Sequence, residues 1–279
     1  MNRRQRGELD LAHAVAALRW WKDAGVDLAL DETPQRRFDR EPAREEPFAV
    51  EPAPAPPAER ATAGGPAPTE SGFDGAAASS DLAAASTDLE SLRQAMDAFE
   101  GCPLKKTATQ LVFSDGEPGS RIMFVGEAPG GDEDRIGRPF VGRAGQLLDR
   151  MLASIGLDRS KIYIANTVPW RPPGNRTPTP QETQTCLPFI RRQIQLAAPE
   201  ILVCLGGSAA QSLLGIREGI TRARGRWYSY KCDDGRVLQT LAMLHPAYLL
   251  RQPAHKRYAW SDLRSLAEAL RGAKEPEHK

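Results

Sequence analysis

The segment Arg121-Ile-Met-Phe-Val-Gly-Glu-Ala-Pro-Gly130 decides the fold class, because an apolar run leads directly into a turn of glycine and proline. A short apolar run that ends in this way is typical of a buried strand in a parallel sheet. Three further segments have the same form, and each ends at a polar residue or a glycine: Lys161–Ala165 before Asn166, Glu200–Leu205 before Gly206, and Val237–Leu244 before His245.

Segments with helical spacing separate these strands. Apolar residues recur at helical intervals in Ala144–Ile155 and Gln181–Ala197, and Lys256–Arg271 supplies a last helix. Thr179-Pro-Gln-Glu182 combines a capping box with proline at the first helical position. The alternation predicts an α/β fold, a three-layer sandwich whose central four-stranded, mostly parallel sheet is flanked by helices. Ligands of such sheets bind beyond the carboxyl ends of the strands.

The composition divides the chain into four parts. Residues 1–31 contain a predicted amphipathic helix over Glu8–Ala24, which either docks back on the folded domain or binds a repair partner. Residues 32–86 are rich in Ala and Pro and predict a disordered linker. The folded domain is predicted over 87–272, beginning at the capping-box pattern Thr87-Asp-Leu-Glu90, and a disordered tail over 273–279.

Charge and cysteine content limit the function classes. Residues 1–88 hold 10 Lys/Arg and 16 Asp/Glu, which leaves 27 of the 37 basic and 20 of the 36 acidic residues to the remainder. A basic domain behind an acidic segment is compatible with a polyanion such as nucleic acid, and equally with an ordinary solvated surface. No apolar run is long enough to span a membrane, and the four cysteines indicate a reducing compartment, the cytoplasm, rather than a disulfide scaffold.

The loop after the first strand carries the densest chemistry. Gly126-Glu-Ala-Pro-Gly130 is followed by three consecutive acids at 132–134 and then by Gly137-Arg-Pro-Phe-Val-Gly-Arg-Ala-Gly145. The glycine spacing does not match the dinucleotide-binding fingerprint, and no Walker lysine follows. Taken alone, the loop is equally well explained as a solvated acidic turn.

Two later loops complete a pattern: Arg171-Pro-Pro-Gly-Asn-Arg176, and His245-Pro-Ala-Tyr-Leu-Leu-Arg251. Together the three loops resemble the family-four uracil-DNA glycosylases, and the resemblance runs from about Thr87 to Leu270. It implies a uracil-DNA glycosylase-like fold and a monomeric base-excision repair enzyme. Such an enzyme hydrolyses the N-glycosidic bond of uracil in single- or double-stranded DNA and leaves an abasic site.

The resemblance assigns a base-binding site to four residues. Phe140 is expected to stack on a uracil flipped out of the DNA, and Asn166 to bind its N3–H and O4, where cytosine has the opposite polarity. Gly126 and Ala128 belong to the same expected site. Each side chain also has a simpler explanation, since Phe140 fits a hydrophobic core and Asn166 fits the cap of a turn.

The resemblance assigns the chemistry to three further residues. His245 is expected to donate a hydrogen bond to uracil O2 as negative charge collects on the departing base. Glu127 is the candidate for positioning or activating water and for stabilising positive charge at C1′. Glu133 is a candidate for sharing either task, and the sequence leaves open which carboxylate handles the water.

DNA contacts are expected from exposed cations and one apolar wedge beside the predicted pocket. These residues are Arg138, Arg143, Arg171, Arg176, Arg224, Arg251 and Leu250, with Leu249 as an alternative to Leu250. Any one of the arginines is also explained as a solvated charge, and either leucine as a core residue.

The chain departs from the family at its cofactor. Family-four enzymes hold a [4Fe–4S] cluster on a C-x₂-C pair and a distant C-x₁₅-C pair. Here Cys102 and Cys186 occupy two of those positions, while Phe99 and Trp170 occupy the other two. An aromatic ring supplies no thiolate. We therefore expect no cofactor, with Phe99 and Trp170 packed together in the volume of the cluster; the alternative, from family analogy, is a retained [4Fe–4S] cluster.

Two other functions compete with uracil excision. One is a protein that traps uracil-DNA covalently, as a related branch of the superfamily does. That branch carries Gln at the position of Ala128 and a His-containing basic loop, whereas the run Arg222–Arg226 contains no His. The other is an inactive scaffold that recruits repair partners through residues 8–24.

Overall fold

The structure is a computed structural model that describes residues 71–272. The predicted amphipathic helix over residues 8–24, most of the predicted linker and the tail 273–279 lie outside the described residues. Among the residues described, no helix combines the length and the apolar character needed to cross a membrane.

One six-stranded sheet forms the centre of the domain, in the order β1-β3-β2-β4-β6-β5. Its strands are β1 (Asp115–Gly116), β2 (Ile122–Gly126), β3 (Tyr163–Asn166), β4 (Ile201–Leu205), β5 (Trp227–Lys231) and β6 (Val237–Met243). The four inner strands are parallel, and both edge strands are antiparallel to their neighbours. The parallel strands deliver their carboxyl ends, and the loops that follow them, to one edge of the sheet.

Helices surround the sheet. They are α1 (Ser71–Ala85), α2 (Leu89–Ala98), α3 (Gly131–Ile136), α4 (Arg143–Ala153), α5 (Pro180–Ala197), α6 (Gly207–Leu214), α7 (Ile220–Ala223), α8 (Pro246–Arg251) and α9 (Lys256–Gly272). Single 3₁₀ turns occupy Pro103–Lys106, Arg159–Lys161, Pro173–Asn175 and Pro253–His255.

Strand β2 shows how the sequence builds two cores at once. Successive side chains of a strand point to opposite faces. Ile122 and Phe124 join the core beneath α4 and α9, and Met123 and Val125 join the core beneath α5 and α6. A strand buried on both faces must be apolar throughout, which is why this segment shows no alternation of polar residues.

The predicted three-layer sandwich is confirmed, with six strands in place of four. The two additional strands lie at the edges. Strand β1 is only two residues long, and β5 is a partly exposed strand with the polar–apolar mixture of a surface segment. Neither carries the continuous apolar run that identified the inner strands, so the apolar pattern alone did not find them.

The predicted disordered linker is wrong over its last part, because α1 occupies Ser71–Ala85. Alanine has the highest helix propensity, and small side chains let a helix approach its neighbour closely. A Cβ on Gly75 would lie 2.8 Å from the Gly101 carbonyl oxygen, and Ser79 is fully buried. The Ser86 carbonyl that follows α1 accepts two hydrogen bonds from Arg192 of α5, at 3.0 and 2.7 Å. The small side chains of this helix therefore serve close packing.

The start of α2 lies one residue later than predicted. Asp88 is the N-cap, and its side chain accepts from the Ser91 backbone at 2.7 Å while Ser91 Oγ accepts from the Asp88 backbone at 3.1 Å. Glu90, the predicted partner of Thr87, instead pairs with Arg93 on the helix surface. Asp is a strong N-cap residue in its own right, and it takes the position from Thr87. The second predicted box, Thr179 with Glu182, is confirmed.

We predict that Ala83→Glu destabilises the full chain and that Ala84→Glu does not. Ala83 is 4% exposed against the core that includes Phe99, whereas its neighbour Ala84 is exposed. An uncompensated carboxylate at a buried site costs several kcal/mol, which corresponds to a fall of roughly 5–10 °C in Tm for a domain of this size. Thermal unfolding of both variants measures the difference. Equal Tm values would mean that α1 does not pack as described.

Candidate active site

A pocket of about 560 Å³ opens at the carboxyl ends of the inner strands. It brings together six of the seven residues to which the resemblance assigns base binding or chemistry, all but Gly126: Glu127, Ala128, Glu133, Phe140, Asn166 and His245. Other lining residues include Pro172, Arg176, Thr177, Gly206, Tyr248 and Arg251. The pocket is therefore built from the loops after β2, β3, β4 and β6, as the strand pattern predicted.

The backbone of Gly126 lies directly against two of the side chains that line the pocket. A Cβ at this position would lie 2.5 Å from Asn166 Oδ1 and 2.7 Å from Phe140 Cζ. Real Cβ atoms do not approach other atoms so closely, so both side chains depend on the missing methyl group. The Gly126 carbonyl is held in turn by the backbone N–H and the hydroxyl of Thr167, each at 2.9 Å.

Asn166 carries an unsatisfied acceptor. Its side chain is 5% exposed, and Oδ1 is the one buried side-chain polar atom among the described residues that has no hydrogen-bond partner. Leaving a buried acceptor unpaired costs about 1–3 kcal/mol. An atom of this kind at the wall of a pocket indicates a ligand that brings an N–H group to it.

Phe140 is fixed by its backbone. It adopts a left-handed conformation with φ of 55°, a strained state for a bulky residue. Two features hold it there. Arg159 donates a hydrogen bond to the Phe140 carbonyl, and a Cβ on Gly145 would lie only 1.6 Å from that oxygen. The Phe140 ring lies almost parallel to the His245 imidazole, with ring centroids 5.4 Å apart.

Glu133 acts as a clamp between two loops. Its Oε2 accepts from the Gly130 backbone at 3.1 Å, and its Oε1 accepts from the backbones of Val141 and Gly142, both at 2.9 Å. Three backbone N–H groups thus occupy both carboxylate oxygens. The geometry favours a role in positioning the loop behind Phe140 over the alternative role in handling water.

Glu127 is the carboxylate that retains free acceptor capacity in the pocket. Burial raises its pKa above the ordinary value of 4.5, and a hydrogen bond from the Thr177 side chain opposes part of that rise. The rise brings the pKa of Glu127 closer to neutral pH, where a general base is most effective. Its own carbonyl accepts from the Val168 backbone at 3.0 Å, which fixes the loop that carries it.

His245 is a neutral hydrogen-bond donor. Burial, and to a smaller extent the charge of Arg251, lowers the pKa of His245 to about 4. Its Nδ1 accepts from the Ala247 backbone at 3.1 Å and so caps α8. Because the neutral ring carries one proton and Nδ1 is the acceptor, the proton resides on Nε2.

The arginines predicted to contact DNA differ in their exposure and in their hydrogen bonds to other side chains. Arg143 and Arg251 are exposed, and Arg138 lies 3.7 Å from Asp115 with 61% of its side chain exposed. Arg176 makes two hydrogen bonds to Glu182, at 2.8 and 2.6 Å. Arg171 donates to Asn175 at 2.7 Å. Arg176 and Arg251 line the pocket, whereas Arg138, Arg143 and Arg171 are close in sequence to residues that line it.

Arg224 has a structural role instead. Its guanidinium pairs with the buried carboxylate of Asp262 and donates to the Tyr258 carbonyl at 3.0 Å. Removing it would leave the buried Asp262 carboxylate uncompensated, so the geometry favours a structural role for Arg224 over the predicted DNA contact. The two candidate wedge leucines differ in burial. Leu249 is fully buried in the core, whereas Leu250 is only partly buried on α8 and is the one accessible to DNA.

Sequence reasoning missed two residues that shape the pocket. Thr177, which is bonded to Glu127, directly follows the Arg171–Arg176 motif and has no signal of its own. Arg159 links the Phe140 loop to Asp149 at 2.8 Å and to Asp115, across three separate elements. Contacts over such long sequence separations leave no local pattern.

Comparisons with known proteins agree with this geometry. The uracil DNA glycosylase superfamily profile matches residues 113–264. The Type-4 uracil-DNA glycosylase of Archaeoglobus fulgidus is 42% identical over 179 residues, which cover 63% of this chain and 89% of that protein. The Type-4 enzyme of Thermotoga maritima is 43% identical over 159 residues, covering 56% and 79%. That of Pyrobaculum aerophilum is 39% identical over 184 residues, covering 63% and 91%.

We predict that the His245 imidazole stays neutral, with its proton on Nε2, down to about pH 5. The lowered pKa means that the ring gains a second proton only as the pH approaches 4. Nitrogen-15 NMR of the ring, assigned by loss of the signals in His245→Gln, measures both the tautomer and the titration. A midpoint near the ordinary value of 6.5 would contradict the buried, neutral donor.

Proposed function

The chain belongs to the uracil DNA glycosylase superfamily, and we propose that it excises uracil from DNA. The reaction hydrolyses the bond between uracil N1 and deoxyribose C1′, releases free uracil and leaves an abasic site. The observation that carries the proposal is the unsatisfied Oδ1 of Asn166, which lies in one pocket with Phe140, Glu127 and His245.

Asn166 supports recognition of uracil over cytosine. The unpaired Oδ1 would accept the N3–H of uracil, and the side-chain NH₂ would donate to O4. Cytosine presents a lone pair at N3 and an amino group at position 4, so both contacts would be mismatched. At roughly 1–3 kcal/mol for each buried mismatch, two mismatches give selectivity between about 30-fold and about 10⁴-fold.

His245 supports departure of the base. As the glycosidic bond breaks, its electron pair moves onto uracil and charge grows at O2. A neutral imidazole that donates from Nε2 stabilises that charge without first having to gain a proton. Preorganised donors of this type contribute roughly 10²–10³ to the rate.

Glu127 supports attack by water. The oxygen of the water molecule bonds to C1′ as the base leaves, and its proton passes to the Glu127 carboxylate. In its ionised form the same carboxylate stabilises the positive charge on the sugar. Because its pKa is raised, the Glu127 carboxylate is a stronger base than an ordinary solvent-exposed carboxylate.

A DNA substrate also has consequences for the surface beside the pocket, the oligomeric state and the location of the enzyme. Arg251, which lines the pocket, and the exposed Arg138 and Arg143 near Phe140 in sequence are suited to DNA phosphates, and Leu250 to the space left by the flipped base. Because the pocket of one chain holds all the proposed groups, we infer that the enzyme acts as a monomer. Because its substrate is cellular DNA, we infer that it acts in the cytoplasm of a bacterial-type cell.

We predict that wild-type protein releases uracil from a U:G duplex and leaves the matching C:G duplex intact. Glu127→Ala, Asn166→Ala and His245→Ala should each lower the single-turnover rate, the last by about 10²–10³. Glu117→Ala and Gln211→Ala are the controls, since both residues are exposed and neither lines the pocket. Chromatography of released base and alkaline cleavage of the DNA provide the measurements.

Denaturing gels run without alkali distinguish the competing functions. Intact strands that break only after alkali indicate hydrolysis, and a stable protein–DNA adduct indicates covalent trapping. Wild-type protein that binds the duplex but releases no uracil would refute the proposed activity, and near-wild-type rates in His245→Ala would refute the role given to that residue.

A further inference from the structure

A cluster of three aromatic rings lies behind the pocket. Phe99, Trp170 and Phe189, here called the aromatic plug, are 4%, 1% and 0% exposed. The Phe99 and Trp170 rings lie 26° from parallel with centroids 6.2 Å apart, and Phe189 meets Phe99 edge-on at 5.1 Å. The expected contact between Phe99 and Trp170 is thus present. These are the positions at which the family resemblance implies two of the four ligands of an iron–sulfur cluster.

The residues present do not fit that cluster. A [4Fe–4S] centre needs four ligands, ordinarily thiolates, and this site offers only Cys102 and Cys186. Their sulfurs lie 3.8 Å apart, and the Cys186 thiol donates a hydrogen bond to Cys102. That bond lowers the pKa of Cys102 and raises the pKa of Cys186, which therefore remains a protonated thiol.

No other cysteine completes the set. Cys204 belongs to strand β4 and Cys232 to the segment after β5, and both are buried in the core beneath α5 and α6, separate from the plug. Across residues 71–272, no three His, Cys, Asp or Glu side chains are grouped so that they would hold a metal ion.

The surrounding backbone is shaped around the rings. A Cβ on Gly101 would lie 2.4 Å from Phe99 Cζ, so the chain passes this ring at a distance that only glycine permits. Leu92, Met96 and Leu104 pack in the same core, as does Ala83 of α1. The volume that a cluster would occupy is therefore filled by closely packed apolar side chains.

The plug is joined to the pocket by a short segment. Trp170 lies four residues after Asn166, and Val168 between them belongs to the plug's core and bonds to the Glu127 backbone. On its other side, Trp170 leads into the loop whose Pro172, Arg176 and Thr177 form a pocket wall. Ala128 of the pocket also packs against this core.

We propose that the aromatic plug replaces the iron–sulfur cluster, so that the enzyme works without iron and Trp170 is the positioning residue for the wall from Asn166 to Thr177. A metal ligand at this position would anchor the loop through a bond to iron. Trp170 anchors the loop because it is buried against Phe99. Its packing thereby helps to hold Asn166, the side chain proposed to recognise uracil, in position. The positioning role of Trp170 rests on the proposed uracil excision, because it is tested by kinetics. The absence of iron can be tested whether or not the protein excises uracil.

The first experiment measures iron and acid-labile sulfide in full-length protein purified without oxygen. We expect no stoichiometric iron, no visible absorption of an iron–sulfur centre, and a Tm that an iron chelator leaves unchanged. About four iron atoms per chain would overturn the proposal whether or not the protein is active. A Tm that falls with the chelator would do the same.

The second experiment separates positioning from stability, at a temperature where all variants are folded. Trp170→Ala should lower Tm by about 10 °C and raise KM for uracil-DNA about tenfold with a smaller change in kcat, because a loosened wall weakens binding of the base in both ground and transition states. Trp170→Phe should restore most of both values. If Trp170→Ala does not fold, Trp170→Leu replaces it.

Trp227→Ala is the matched control, since Trp227 is a partly buried tryptophan of edge strand β5 that packs against a different core. It should lower Tm and leave KM unchanged. An unchanged KM in Trp170→Ala would overturn the positioning role, and an equal rise of KM in Trp227→Ala would show that any loss of stability has this effect.

Discussion

The site depends on the bare backbone at Gly126. Parallel pairing of β2 with β3 sets Gly126 beside Asn166, and the absence of a side chain lets both Asn166 Oδ1 and the Phe140 ring approach that backbone more closely than any Cβ would permit. Other contacts reinforce the arrangement. Thr167 holds the Gly126 carbonyl, while Glu133 and Arg159 hold the loop that carries Phe140 in its strained conformation. The unpaired amide oxygen is therefore fixed in position before any ligand arrives, and a base that satisfies it meets little reorganisation.

Burial acts in opposite directions on the two reacting groups. It raises the pKa of Glu127 and lowers the pKa of His245, because a low-dielectric site disfavours whichever form is charged. The result is a neutral imidazole that can only donate from Nε2 and a carboxylate with increased basicity. Glu133 has the same chemistry as Glu127 but a different environment, since three backbone N–H groups occupy its oxygens. Environment thus divides the roles of two acids that the sequence could not separate.

Features with a local pattern were predictable from the sequence, and features made by long-range contacts were not. The inner strands and the helices α4, α5 and α9 were predicted to within a few residues, because apolar runs and helical spacing are local. The short helix α6 between β4 and β6 was not predicted. Glu127, Asn166 and His245 could be placed at one edge of the sheet because parallel strands end there, whereas Phe140 and Glu133 were assigned from the family resemblance. The Ala-rich helix α1 was missed because its packing depends on small side chains, and α2 was placed one residue early because Asp88 and Thr87 are both good caps. The pairing of Arg224 with Asp262, 38 residues later in the chain, likewise leaves no local pattern in the sequence.

The Gly126→Ala variant tests the central claim most directly. The added methyl group would have to displace Asn166 Oδ1 or Phe140, and a shift of about 1 Å should cost roughly 100-fold in kcat/KM for uracil-DNA. Overpacking at this buried position should also lower Tm by about 5 °C, whereas affinity for undamaged DNA should change little. Gly219→Ala is the control, because a Cβ there meets no atom within 4 Å. A large loss confined to Gly126→Ala is the predicted result. Wild-type kcat/KM in that variant would contradict a pocket built on the bare backbone of Gly126.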